Sequence, residues 1–417
     1  MRTPPAELAG GKKIDPMKKI IRNTCLIFAL FLYASCKKDP APVPVTPPPV
    51  TPPVTPGTTV NYLQQAKETH TFTVNNLLTA SYGYRANTTT HSNNCYEWYN
   101  VSQIYADAAM VSLGETTYLA YMNNTFKFME NMWDKRDLRG GYFASVNLDG
   151  SGAAGDKYVD DNALTGIVFL EAAEVTTGAD KQAYLAKAKA CGDWLINSGL
   201  WDNVYGGGFY WNTAKPEKPT QTNGLALQLF LKLYSLTGDA IYRDWAVQVN
   251  TWLNTKMFDT NTGLYIWKID GAGDGVKHNE KFTYDNAIMV EAFILYSKIM
   301  NDAAYLTKAQ SLGRAMNNTL WNALYKGYVF NTAETRINPA WCAWGSQAMI
   351  RLYETDKNES WLVYAKENIN RLNIANRNTT NFGYYFFAGF DGQNRSTEME
   401  TVDQAWMQRI QALLSKY

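Results

Sequence analysis

Five times between residues 114 and 361 the chain repeats one pattern: a turn of Gly, Asn or Asp, then an aromatic residue, then an amphipathic run. The copies are Gly114 to Tyr118, Gly178 to Tyr184, Gly238 to Tyr242, Asn301 to Tyr305 and Asp356 to Trp361, spaced by about 60 residues. After each aromatic the apolar positions follow helical period, as in Tyr184, Ala188, Cys191 and Leu195, which predicts a helix with one buried face. Ahead of most turns stands a segment apolar nearly all round, such as Ala163 to Leu170, Gly224 to Leu231 and Ala287 to Leu295, which predicts a helix buried on most sides. A single helix pair of this kind cannot hide its apolar faces, so neighbouring pairs must stack.

The inner helices are expected to start near Asn100, Asp161, Asn223, Asn286, Trp344 and Asp403. The sixth runs from Gln404 to Tyr417 with no outer partner after it, so its partner must be the helix expected at about Asn61 to Leu78. Closing the ring in this way gives an all-α fold, an (α/α)6 barrel over residues 59–417. Between each outer helix and the next inner one lies a glycine- and aromatic-rich stretch, for example Trp133 to Phe143, Trp201 to Trp211 and Phe258 to Trp267. Such stretches suit short hairpins, and all of them lead to inner-helix N-termini, so they crowd one rim. A ligand is expected there.

Upstream the composition changes. Residues 37–58 are a proline-rich linker, extended because proline fixes φ and lacks an amide donor. Met17 to Cys36 has a basic start, a short apolar run and small residues before cysteine, an export signal too short to span a membrane. It resembles a lipoprotein signal, with Cys36 as the lipidated residue and Lys37-Lys38-Asp39 placed as in Bacteroidetes lipoproteins; residues 1–16 then read as a misannotated start. The expectation is an outer-membrane lipoprotein on the cell surface or periplasmic face, touching the membrane through its lipid alone. Cys95, Cys191 and Cys342 remain, an odd number that argues against a disulfide framework.

With 39 basic and 38 acidic residues, the chain carries no charge footprint for nucleic acid. Many aromatic residues with Asn and Gln between them suit a neutral carbohydrate. Cleaving a glycosidic bond takes two carboxyl groups, and Asp160 and Asp161 stand side by side at the mouth of an inner helix. A second reading stays open at this point: Asp161-Asn-Ala163 recurs as Asp285-Asn-Ala287, and an aspartate there can simply cap its helix. That reading gives no duty to Asp160, which stands where the other copy has Tyr284. His70, His91 and His278 are not spaced as a metal pair, and no glycine-rich turn with a following Lys-Ser or Lys-Thr forms a phosphate cradle. Asp149, Asp156 and Asp160 match no helix-loop-helix calcium loop. Neither metal nor cofactor is expected, and the chain is expected to act as a monomer.

At Lys157-Tyr-Val-Asp-Asp-Asn-Ala163, Gly206-Gly-Gly-Phe-Tyr-Trp211, Thr222-Asn-Gly-Leu-Ala226 with the turn Leu233 to Asp239, and Thr283-Tyr-Asp-Asn286, the sequence resembles glycoside hydrolase family 76. The resemblance covers about residues 60–417. It implies a retaining, endo-acting α-1,6-mannanase that cuts mannan backbones of fungal cell-wall type, with Asp160 as nucleophile and Asp161 as general acid/base. Candidate sugar contacts beside the pair are Tyr158 and Asn162, and in the triple-glycine loop Tyr205, Phe209, Tyr210 and Trp211. Further contacts are expected from Asn223, from Tyr284, Asp285 and Asn286, and from Trp341 and Trp344. Two alternatives stand beside this one: another (α/α)6 enzyme such as an unsaturated-uronide hydrolase, for which Arg136, Arg139 and Lys157 offer cations, and a non-catalytic glycan-binding lipoprotein.

Overall fold

The computed structural model describes residues 60–89, 93–202, 204, 206–271 and 275–417. The signal, Cys36, the proline-rich linker, His91 and Tyr205 lie outside the described residues. Twelve α-helices follow in order among the described residues: α1 (Tyr62–Asn76), α2 (Glu97–Ser112), α3 (Tyr118–Met129), α4 (Val159–Glu174), α5 (Gly178–Asn197), α6 (Thr220–Thr237), α7 (Ala240–Trp252), α8 (Thr283–Ile299), α9 (Ala303–Thr319), α10 (Pro339–Asp356), α11 (Glu359–Asn376) and α12 (Thr401–Leu414). The even-numbered helices form the inner ring, each packed on the next, and α12 returns to α2. Each inner helix carries the outer helix that follows it, except that α12 packs on α1, as expected for a ring closed by its first helix. Val60 and Tyr417 accordingly line the same surface hollow of about 690 Å³. Cys95, Cys191 and Cys342 are buried free thiols.

Inner helices begin two to five residues earlier than the sequence pattern suggested. The reason is a polar clamp in the first turn that the apolar periodicity does not register. Asn100, Asn162, Asn223, Asn286 and Gln404 each occupy the fourth helical position. In every case the side-chain carbonyl accepts the N–H of a loop aromatic, and the side-chain amide donates to that residue's C=O and to the carbonyl four residues back. Asn162 holds Tyr142 by 2.7 and 3.1 Å bonds, Asn223 holds Phe209 by 2.7 and 3.1 Å, and Asn286 accepts the Tyr265 amide at 2.7 Å. Asn100 holds Tyr84 and Gln404 holds Tyr384 in the same manner. At α10 the device moves to the outer helix, where Asn368 of α11 accepts the Tyr328 amide at 2.9 Å. Each rim hairpin is thus tied to the inner helix beneath it or to that helix's outer partner.

Ion pairs repeat in the same register. An aspartate after the loop aromatic meets a lysine two residues before the inner helix: Asp134 with Lys157 at 2.9 Å, Asp202 with Lys218 at 2.5 Å, and Asp259 with Lys281 at 3.0 Å. The triple-glycine loop is also tightly seated. Gly207 and Gly208 have φ of 113° and 95°, and a Cβ on either would stand 2.6 Å from Trp201 or 2.5 Å from Trp252. Only glycine fits this backbone against those rings. Short antiparallel ladders complete the rim, notably Glu217–Pro219 with Lys268–Asp270, which pairs in turn with Lys277–His278.

At the other end of the barrel a buried arginine ties the ring together. Every residue of α12 is buried, including Arg409, whose guanidinium bonds Glu171 of α4 at 2.9 Å, Gln347 of α10 at 2.7 Å and the Tyr105 carbonyl of α2 at 3.1 Å. It lies beneath a cavity of about 440 Å³ lined by Glu171, Glu291, Arg351 and Lys232. Arg409→Met is expected to lower stability by about 3 kcal/mol, because it leaves a carboxylate without its closest cation. Urea unfolding checks this, and a loss under about 1 kcal/mol would mean that Arg351 takes over the pairing.

Candidate active site

Counting back from the clamps shows how the mouth is furnished. Two positions before them stand Trp98, Asp160, Gln221 and Tyr284; one position before stand Tyr99, Asp161, Thr222, Asp285 and Asp403. The first set meets around the opening. Asp160 Oδ2 accepts the Gln221 amide and, at 2.9 Å, the Trp211 indole N–H. The Tyr284 ring lies 5.0 Å from Trp341, which lies 5.8 Å from Trp98. Tyr158 stands edge-on to Trp211 at 4.9 Å. A carboxylate corner on α4 therefore faces an aromatic wall built from α8, α10 and α2.

The adjacent aspartates have unlike surroundings. Asp160 is 2% exposed, and burial raises its pKa to about 6, opposed by the Gln221 and Trp211 donors and by the first-turn backbone amides. Asp161 is partly exposed and receives no hydrogen bond among the described residues. Burial, and then the neighbouring Asp160 charge, push its carboxyl well above the usual range. The α4 N-cap is Tyr158, which makes no side-chain cap bond, so neither aspartate is the N-cap residue itself. The two donors at Asp160 favour its ionised form, while Asp161 has none among the described residues and burial favours its protonated form.

The structure sorts the expected sugar contacts into two groups. Tyr158, Trp211, Tyr284, Asp285 and Trp341 gather at the mouth with the two aspartates. Asp285 is buried, and neither carboxyl oxygen has a hydrogen-bond partner among the described residues. Asn162, Asn223 and Asn286 do not fit the expectation: they are fully buried, and both amide hydrogens of each are engaged by backbone. Phe209 is likewise core, packed on Trp201 and stacked on Trp245 at 5.5 Å. Trp344 sits a turn below Trp341, inside the barrel, 4.0 Å from Trp406. Tyr210 is 8% exposed, with the Lys218 ammonium 5.0 Å from its ring centre. Sequence reasoning missed Gln221 and Trp98, although alignment of the repeats on the clamps puts both in the column of Asp160. It also missed Glu97, a buried carboxyl at the first position of α2.

The cations that would have favoured a uronide substrate are engaged within their own loop. Lys157 bonds Asp134 and the Gly140 carbonyl, Arg139 bonds Asp137 through two nitrogens, and Arg136 reaches Asp134. His70 is buried against Tyr118 and Tyr121 in the α1 region, and His278 pairs with Asp270 at 2.9 Å.

Comparison with known proteins agrees with this geometry. The family model of glycosyl hydrolase family 76 matches residues 147–338, a span that contains Asp160 and Asp161. A curated relative, mannan endo-1,6-alpha-mannosidase DCW1 of Candida glabrata, is 29% identical over 149 residues, 31% of this chain and 32% of that protein, so the match spans about a third of its length. Among solved structures, the GH76 alpha-mannanase BT2949 of Bacteroides thetaiotaomicron superposes with a TM-score of 0.75 at 22% identity, covering 86% of this chain and 96% of that one. An inactive alpha-1,6-mannanase variant of a Salegentibacter species, with two consecutive aspartates changed to asparagine and alpha-1,6-mannotriose bound, gives 0.69 at 18% identity over 85% and 99% of the two chains. The barrel, the paired aspartates and the family match agree, and over residues 147–338, a little under half of its length, the chain is similar to glycosyl hydrolase family 76.

Proposed function

We propose that this protein is a retaining endo-α-1,6-mannanase. Asp160 attacks the anomeric carbon while Asp161 protonates the departing glycosidic oxygen. Asp161 then takes a proton from the water that releases the mannosyl group from Asp160. The observation that carries this reading is the unequal supply of donors: Trp211 and Gln221 both serve Asp160, and none serves Asp161. The half-buried rings of Trp211 and Trp341 offer faces for pyranose stacking. The named activity of the curated relative supports an endo cut in an α-1,6 backbone. We further place the protein at the outer membrane, tethered through Cys36 and the proline-rich linker, and acting as a monomer.

The test is incubation of residues 58–417 with linear α-1,6-mannan, following product length and anomeric configuration by NMR. Short products released first in the α configuration support the reading, while β products or no cleavage overturn it. The pH profile should follow the same carboxyls. Asp160 must be ionised to attack, so kcat/KM is expected to fall as pH drops below about 6. An acid limb near 4 would show that Asp160 is not the group being titrated.

A further inference from the structure

Five of the six outer helices cover the neighbouring rim loop in one way, and α9 departs from it twice. Ten places after its first aromatic residue, each of the five carries a large side chain, Phe72, Phe128, Trp194, Trp252 or Arg371, packed over a loop glycine. A Cβ on Gly141 would stand 2.4 Å from Trp194, and one on Gly208 would stand 2.5 Å from Trp252. On α9 the same place, ten after Tyr305, is Ala315, and a Cβ on Gly263 would meet only its methyl group, at 3.5 Å. Three places after the aromatic, Lys187, Trp245 and Tyr364 lie on the leading ring of their loops: 4.2 Å from Trp133, 5.5 Å from Trp201 and 4.8 Å from Trp321. The α9 residue at that place, Lys308, turns instead to Tyr305 at 4.3 Å, and Phe258 at the head of its loop stays 38% exposed.

The two departures leave a pocket of about 230 Å³ on the flank of the barrel, between the end of α7 and α9. Phe258 forms one wall, Phe293 and Leu312 lie at its base, and Thr307, Lys308 and Ser311 edge it. A π-turn, Leu253–Met257, leads from α7 to Phe258 and is the only one among the described residues. None of the mouth residues lines this pocket. Left empty, it forfeits the packing contacts that the other repeats make.

We propose that the pocket is a second carbohydrate site, which holds a mannosyl unit of the mannan chain without cleaving it. The inference rests on the mannanase reading above and adds a place where polymer is held apart from the catalytic carboxyls. The lining has the two-sided character of a pyranose: an uncovered ring for the C–H face of the sugar, and the exposed hydroxyls of Thr307 and Ser311 for its hydroxyl edge. Ser311 Oγ accepts from Arg314 at 3.1 Å and keeps its own proton to donate. Lys308 is the single charged residue of the lining, so a neutral ligand suits the site better than an ionic one. The volume suits one ring and not a chain.

The test compares the intact protein with Phe258→Ala, which removes the wall, and Ala315→Trp, which fills the space with the side chain found at this place in α5 and α7. On linear α-1,6-mannan both variants are expected to raise KM by about 3- to 10-fold with kcat unchanged, while kcat/KM on α-1,6-mannotetraose stays at the wild-type value. Binding is read separately by retardation in native gels cast with the same mannan, in an Asp160→Asn background that leaves the polymer whole; adding Phe258→Ala should weaken the retardation. A polymer KM that stays at the wild-type value in either folded variant, or that rises equally on the tetrasaccharide, overturns the proposal. Wild type that cleaves neither substrate counts against the mannanase reading instead, and the gels then decide the pocket: retardation weakened by Phe258→Ala upholds it, and retardation absent or unchanged removes it. If Ala315→Trp does not fold, Phe258→Ala decides alone.

Discussion

Asp160→Asn and Asp161→Asn are each expected to lower turnover of α-1,6-mannan by about 10³-fold or more, and the two should fail in different ways. Without the acid, Asp161→Asn should recover much of its rate on an aryl α-mannoside, whose leaving group needs no proton. Azide should then accelerate it further and yield an α-mannosyl azide, formed by attack on a β-linked mannosyl enzyme. Asp160→Asn has no nucleophile, so azide should enter directly from the opposite face and yield the β product. Identical azide products from both variants would sink the assignment of roles. The same substitutions should stabilise the fold. The folded-state pKa of Asp160, about 6, lies above its ordinary value, so the group contributes stability at low pH that is lost as pH rises through 6. Asn at 160 escapes that loss, so Asp160→Asn should have the higher Tm at pH 7 and lose the advantage at pH 4. Equal Tm values at pH 7 would show that the buried charge is better compensated than its surroundings indicate.

The second large effect is expected at a residue that touches no sugar. Asn223→Ala removes three hydrogen bonds and leaves the Phe209 N–H and C=O buried without partners, a loss of roughly 3 to 5 kcal/mol. Set against a typical stability of about 5 to 15 kcal/mol, that is a large share. Asn223 also fixes the loop that delivers the Trp211 indole to Asp160, so kcat should fall together with the urea midpoint. A variant of full activity and unchanged midpoint would show that Phe209 is held by ring packing alone.

These clamps also explain what was legible in the sequence. The barrel was readable because its information is periodic: apolar runs recur, turns recur, and a sixth inner helix without a following partner calls for α1. The catalytic pair was readable because adjacent aspartates break the repeat at Asp160. The asparagines misled for a physical reason. An Asn at the head of a rim helix has the same polarity whether it faces a sugar or holds a loop, and only the placed backbone of Tyr142, Phe209 or Tyr265 distinguishes the two. Trp341 and Trp344 differ by less than one helical turn, yet one faces the mouth and the other the core.

The pairing of α1 with α12 has a consequence for how the chain folds. Thr69 bonds Gln411, 342 positions further along the chain, so the contact that completes the ring joins segments from opposite ends of the barrel. Local hairpins such as α4 with α5 can form early, since they close short loops, whereas the closing contact must overcome the entropy of nearly the whole domain. During synthesis α1 therefore emerges first and waits longest, its apolar face exposed until Thr401–Leu414 arrives to cover it. Until then the half-built ring carries apolar surface that the finished one covers, and such surface favours aggregation.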